Sequence, residues 1–153
     1  SGDDVFLLQK AIEKDSYSVC FLKAKDAIVL TKPQPDFCSL KSQRVRWASK
    51  TTQYNNRFGK LTGLVVLLMN GGLICSLVLL ITGTLNFKVL LISLILKMSI
   101  DIVLLLKTTT FFNQKHLLKT YLFSSIIYPF FCVYIAVISF YSSYKWKGRA
   151  FKN

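Results

Sequence analysis

Two short constellations in this chain carry residue types that chemistry needs. The first is Asp3-Asp4, an acidic pair directly ahead of the apolar run Val5-Phe6-Leu7-Leu8. A carboxylate held where a helix starts can act as a general base, provided it reaches the hydroxyl it deprotonates and its surroundings tune its pKa. The same residue type is also the ordinary cap of a helix start. The second is Gln43-Arg44-Val45-Arg46-Trp47. Gln43, Arg46 and Trp47 fall at i, i+3 and i+4, so on a helix they project from one face. A guanidinium offers the fork that phosphate oxygens need, and an indole covers the apolar C–H face of a sugar. Together with an amide they could bind a diphosphate and stack on a sugar. On composition alone, Arg and Trp beside a membrane read as anchors.

Other chemistries find little support. The cysteines are Cys20, Cys38, Cys75 and Cys132, without a CxxC pair, and His116 is the only histidine. That spacing suits neither a zinc nor an iron–sulfur site, nor a Cys–His dyad. A structural disulfide is not expected, because bridges follow small oxidised extracellular domains.

The elements that must position these residues follow from charge and hydropathy. The chain has 153 residues, 20 basic and 7 acidic, for a net charge of +13. Residues 1–60 hold 11 of the basic and 6 of the acidic ones, and apolar stretches with basic links make up most of the rest. This is a membrane pattern, and a wholly soluble globule is excluded. The basic segment has neither an RRM nor a KH pattern, so nucleic acid is not an expected partner.

Three runs are long enough to cross a bilayer, over 61–85, 89–106 and 121–144. The first two form a hairpin through Asn86-Phe87-Lys88, and Pro129 should kink the third. Asn70-Gly71-Gly72 allows close helix contact in the first. Tyr121, Tyr141, Tyr144 and Trp146 would form an aromatic belt. Lys97 and Asp101 lie four apart inside the second run, on one helix face, where mid-bilayer charges usually pair. The basic count places residues 1–60 in the cytoplasm and the second link on the same side; the basic tail 145–153 is left unassigned, since parity and the positive-inside rule disagree there.

Ahead of the spans, residues 4–14 read as an amphipathic helix with Phe6, Leu7 or Leu8, Ala11 and Ile12 on its apolar stripe. Tyr17 to Lys23 and Ala27 to Thr31 read as a strand pair, closed by Lys32-Pro33-Gln34-Pro35. A second helix starts with Asp36 as its N-cap. In it Phe37, Leu40, Trp47, Tyr54 and Phe58 recur at helical spacing. Lys41, Arg46, Lys50, Arg57 and Lys60 supply the cations of a helix lying on an anionic membrane surface.

Taken together, SGDDVFLL at 1–8, QRVRW at 43–47, the intervening strands and the apolar spans resemble the C-terminal part of membrane-bound family 2 glycosyltransferases, the group of the cellulose and hyaluronan synthases. The 39 positions between Asp4 and Gln43 and the order of the motifs carry the resemblance; Trp146-Lys147-Gly148-Arg149 adds a weaker likeness to the ending of non-processive bacterial members. It implies an α+β fragment of a GT-A α/β domain over 1–36, an amphipathic interface helix over 37–60, an all-α transmembrane region over 61–144 and a basic tail.

It further implies an inverting enzyme that moves a sugar from a nucleotide-diphospho-sugar to a lipid or glycan acceptor, at the inner membrane of a bacterium. Asp4 would be the catalytic base, with Asp3 its acidic neighbour. Gln43, Arg44, Arg46 and Trp47 would bind substrate. The nucleotide-binding half and its Asp-x-Asp site have no counterpart in this chain, so the Mg or Mn ion of the family would take ligands outside it. The chain alone is expected to be inactive. The competing expectation is a small polytopic transport or scaffold protein with Lys97 and Asp101 as its functional pair.

Overall fold

A computed structural model describes residues 3–51, 57–141, 144–146 and 149–151. Five helices carry the architecture: α1 Asp3–Lys14, α2 Phe37–Thr51, α3 Arg57–Ile81, α4 Phe87–Phe111 and α5 Tyr121–Tyr141. Among the described residues the only strands are β1 Tyr144–Trp146 and β2 Arg149–Phe151, paired antiparallel with Lys145 opposite Ala150. The chain divides into two compact units, residues 1–64 with 135–153 and residues 65–134.

The α+β expectation for residues 1–36 is overturned. After α1 the chain makes two short 3₁₀ turns, Ser16–Ser18 and Lys25–Ala27, and otherwise runs without a ladder. Backbone near Val19, Ala24 and Ile28 is extended, as the β-branched and aromatic residues favour,. Extended backbone becomes a sheet only when another strand takes up its amide and carbonyl groups, and none does here. Asp15 instead turns the chain locally, its carboxylate accepting from the Tyr17 amide at 3.0 Å. Tyr17, Phe21, Leu22, Val29 and Leu30 are all strongly exposed. On α1, Phe6 and Ala11 are half-buried while Leu7, Leu8 and Ile12 stand exposed, so only part of the expected stripe is covered.

α2 begins where expected. Asp36 accepts from the Ser39 amide at 2.8 Å and from the Ser39 hydroxyl at 2.9 Å. The amide and hydroxyl of Ser39, joined by the Cys38 amide, hold its carboxyl below the usual carboxylate range,.

Three helical segments, Arg57–Ile81, Phe87–Phe111 and Lys115–Tyr141, are long and apolar enough to cross a membrane. The last includes the 3₁₀ turn Lys115–Thr120 ahead of α5. Their bounds differ from the expected ones for local reasons. Arg57 and Lys60 belong to α3 rather than to the interface helix, because long basic side chains are good helix formers that can reach headgroups from a helix end,. Phe58 therefore also lies on α3, and Tyr54 lies outside the described residues. α4 starts under Asn86, whose side chain accepts from the Lys88 amide at 2.9 Å, and continues past Lys107 through Thr108, Thr109 and Thr110. α5 runs through Pro129 and ends at Tyr141, short of the expected 144; Tyr144 belongs to β1.

Both transmembrane turns are closed by the same device. At the end of α3, Gly83 has φ +76°, its amide donates to Leu80 O and the Thr84 amide donates to Leu79 O, both at 3.0 Å. At the end of α4, Asn113 has φ +56°, its amide donates to Thr110 O at 3.3 Å and the Gln114 amide to Thr109 O at 2.7 Å. These paired bonds are Schellman caps, which need a left-handed residue after the helix. A Cβ on Gly83 would meet nothing within 4 Å, so a side chain there is opposed by backbone conformation alone. Gly83→Val should destabilise the hairpin by about 1–2 kcal/mol, read as a lower melting temperature in detergent; Gly83→Asn should lose less.

The packing is inverted relative to a soluble protein. Among the described residues the buried apolar side chains are Val45, Leu73 and Ile135, while Asn70, Lys97, Thr109, Ser125 and Ser139 are buried polar ones. Leu, Ile, Val and Phe cover the outside of all three spans. Hydroxyls and amides in the spans mostly turn back on their own helix: Asn70 Nδ2 donates to Val66 O at 2.7 Å, and Thr109 Oγ1 to Leu105 O at 2.7 Å. Such bonds are what an apolar solvent requires of a polar side chain.

Candidate functional site

The first unit holds both sequence constellations. Asp3 opens α1, and Asp4 follows in its first turn with its side chain exposed. Asp4 makes no hydrogen bond or ion pair among the described residues. Its carboxylate is therefore open to an incoming group, with the helix start favouring its negative charge.

On α2, Gln43 and Arg46 are half-buried and Trp47 is 47% exposed. Val45, at 3% exposure, is the buried apolar residue of this helix and lies on the opposite side from the trio,. Arg44 does not stay apart from the motif: its guanidinium carbon sits 4.9 Å from the centroid of the Trp47 ring. That is cation–π range, so Arg44 restrains the indole and carries positive charge to its face. Ser49 Oγ donates to Arg46 O at 3.1 Å.

One contact links the two constellations. Lys50 Nζ lies 6.0 Å from the centroid of the Phe6 ring. Lys50 follows Arg46 by four and Trp47 by three, so it continues their helix face. Phe6 follows Asp4 by two on α1. Phe6 of α1 thus lies near one residue, Lys50, of the helix face that carries Gln43, Arg46 and Trp47. The structure does not place Asp4 itself against the trio: no hydrogen bond or ion pair joins them. The sequence marked Phe6 as stripe and Lys50 as basic complement; that they meet is a tertiary fact with no signal in their spacing.

The second unit contains the other charged constellation. Lys97 Nζ donates to Asp101 Oδ2 at 2.7 Å along α4, as the four-residue spacing required. Lys97 is nearly fully buried, whereas the Asp101 side chain is 42% exposed. The Lys97 ammonium also stands 5.5 Å from the centroid of the Tyr128 ring on α5. Tyr128 was not singled out in the sequence, since nothing local says which residues of two helices will meet. Tyr121 donates its hydroxyl to Met98 O at 2.6 Å and ties the start of α5 to the middle of α4.

No protein-family model, curated protein or solved structure matches this chain. The site must be read from its own residues. Among the described ones, no group of three or more His, Cys, Asp or Glu side chains could hold a metal ion. The four cysteines are free thiols.

Proposed function

We propose that this chain is the acceptor-side and membrane portion of an inverting glycosyltransferase that uses a nucleotide-diphospho-sugar. The observation that supports the reading is the Phe6–Lys50 contact, in which a residue of the helix of Asp4 approaches a residue one turn beyond Arg46 and Trp47 on α2. An open carboxylate, two guanidiniums and an indole on neighbouring helices are the parts that such a transfer uses.

In the proposed reaction the Asp4 carboxylate takes the proton of the acceptor hydroxyl. The freed oxygen pair attacks the anomeric carbon, forming the new glycosidic C–O bond while the bond to the nucleotide diphosphate breaks. The electron pair of that bond leaves with the diphosphate, whose growing charge Arg46 and Arg44 stabilise. Trp47, steadied by Arg44, forms a platform for the acceptor sugar. Gln43 supplies an amide hydrogen bond beside them. The divalent metal implied by the family resemblance finds no ligand cluster among the described residues, and no step here runs through it. A lipid or glycan acceptor suits a site whose helix α2 precedes the apolar helix Arg57–Ile81 in the sequence.

The rival reading, a transport or scaffold protein without chemistry, rests on Lys97 and Asp101. Their direct 2.7 Å hydrogen bond favours mutual neutralisation within the bundle over a free carrier site,.

The test is a membrane assay of the intact protein with radiolabelled nucleotide-diphospho-sugars. Trp47→Ala should abolish most transfer to acceptor while donor binding stays within about twofold, because one stacked ring contributes on the order of 1 kcal/mol or more to the sugar alone. Equal loss of donor and acceptor binding would refute the platform role, and absence of any sugar transfer by the wild type would refute the function.

A further inference from the structure

We infer that the turn between α4 and α5 is a binding site for the headgroup of an anionic phospholipid. Lys107, Lys115, His116 and Lys119 flank this turn, all four exposed, and none of their side chains makes a hydrogen bond or ion pair among the described residues. No Asp or Glu follows Asp101 anywhere in the chain, so no carboxylate beyond that point competes for these cations.

Their depth matches headgroups rather than a soluble partner. Lys107 lies 20 residues beyond Phe87 on one continuous helix. At 1.5 Å per residue that is about 30 Å, the thickness of a bilayer's hydrocarbon core. The Schellman cap at Asn113 then reverses the chain, and the 3₁₀ turn Lys115–Thr120 packs back against α4. That fold holds the turn bearing Lys115, His116 and Lys119 against the helix that carries Lys107 instead of letting it trail away. Apolar groups complete the site. Phe111 and Phe112 meet edge to face at 5.0 Å, and Phe112 and Leu117 are exposed beside the lysines. A phosphate takes the ammonium donors while the upper acyl chains lie on Phe112 and Leu117.

The inference stands apart from the sugar-transfer reading and survives its failure. Its test is native mass spectrometry of the full chain in detergent, titrated with phosphatidylglycerol or with phosphatidylcholine of the same acyl chains. The wild type should retain phosphatidylglycerol on the order of tenfold better, given what each surface lysine contributes. Lys107→Gln/Lys115→Gln/Lys119→Gln should remove that preference, whereas Lys88→Gln, at the other end of α4, should leave it. A triple variant with undiminished preference, or an equal loss from Lys88→Gln, overturns the site. Should the triple variant not fold, the wild type still decides: its preference must fall several-fold as salt rises from about 0.05 to 0.5 M, and a salt-independent preference overturns the proposal.

Discussion

Replacing Asp4 by Asn should lower sugar transfer by the intact protein roughly 10²–10⁴-fold, the usual contribution of a positioned general base. Asn keeps the size and hydrogen-bonding shape of Asp but cannot accept the proton. The structure makes the variant informative because Asp4 is exposed and holds no hydrogen bond or ion pair among the described residues, so little else is lost with its charge. What remains is its interaction with the start of α1, about 0.3–1 kcal/mol for a charge at a helix end. A fall in rate with an unchanged melting temperature therefore isolates the chemistry. Asp4→Glu, which keeps a base on a longer arm, should recover part of the rate. If Asp4→Asn transfers sugar as fast as the wild type, Asp4 is a helix-start residue and the base lies elsewhere.

Lys97→Leu should be the most damaging single change in the spans. It leaves Asp101 in an apolar helix without the ammonium that holds its Oδ2 at 2.7 Å. An uncompensated mid-membrane charge costs at least ~2.5–3.5 kcal/mol on insertion scales. That exceeds what a typical point change does to stability. The double variant Lys97→Leu/Asp101→Leu removes the orphan and should return most of the lost membrane yield and melting temperature. Two equally poor variants would mean that Lys97 matters through its cation–π contact with Tyr128 rather than through its ion pair with Asp101,.

What could be read from the residue order was what depends on near neighbours. The three apolar helices, the Asp36 cap and the Lys97–Asp101 pair all arise from apolar run length or from contacts within four positions, and each stands in the structure; the expected link 86–88 does not, since Phe87 and Lys88 lie in α4 and the turn precedes Asn86. The strand pair failed for the complementary reason. Val, Ile, Leu and Phe in 17–31 prescribe extended backbone, but a sheet is a property of two segments, and the second is not supplied here. Span ends shifted wherever a cap or a snorkelling base outweighed hydropathy, as at Gly83 and Arg57. The contacts Phe6–Lys50, Lys97–Tyr128 and Tyr121–Met98 join different elements, so no periodicity could announce them. For the candidate site, the face shared by Gln43, Arg46 and Trp47 followed from spacing; the approach of Phe6 to Lys50 did not.

The bare stretch carrying Tyr17, Phe21, Leu22, Val29 and Leu30 has a practical outcome. Large exposed apolar side chains along extended backbone offer a template onto which an identical stretch can add, the route by which strand edges self-associate,. Self-association of concentrated samples through that segment is the expected outcome, read as light scattering that rises with protein concentration. A lysine in place of Phe21 or Val29 is the remedy that sheet proteins themselves use on such edges.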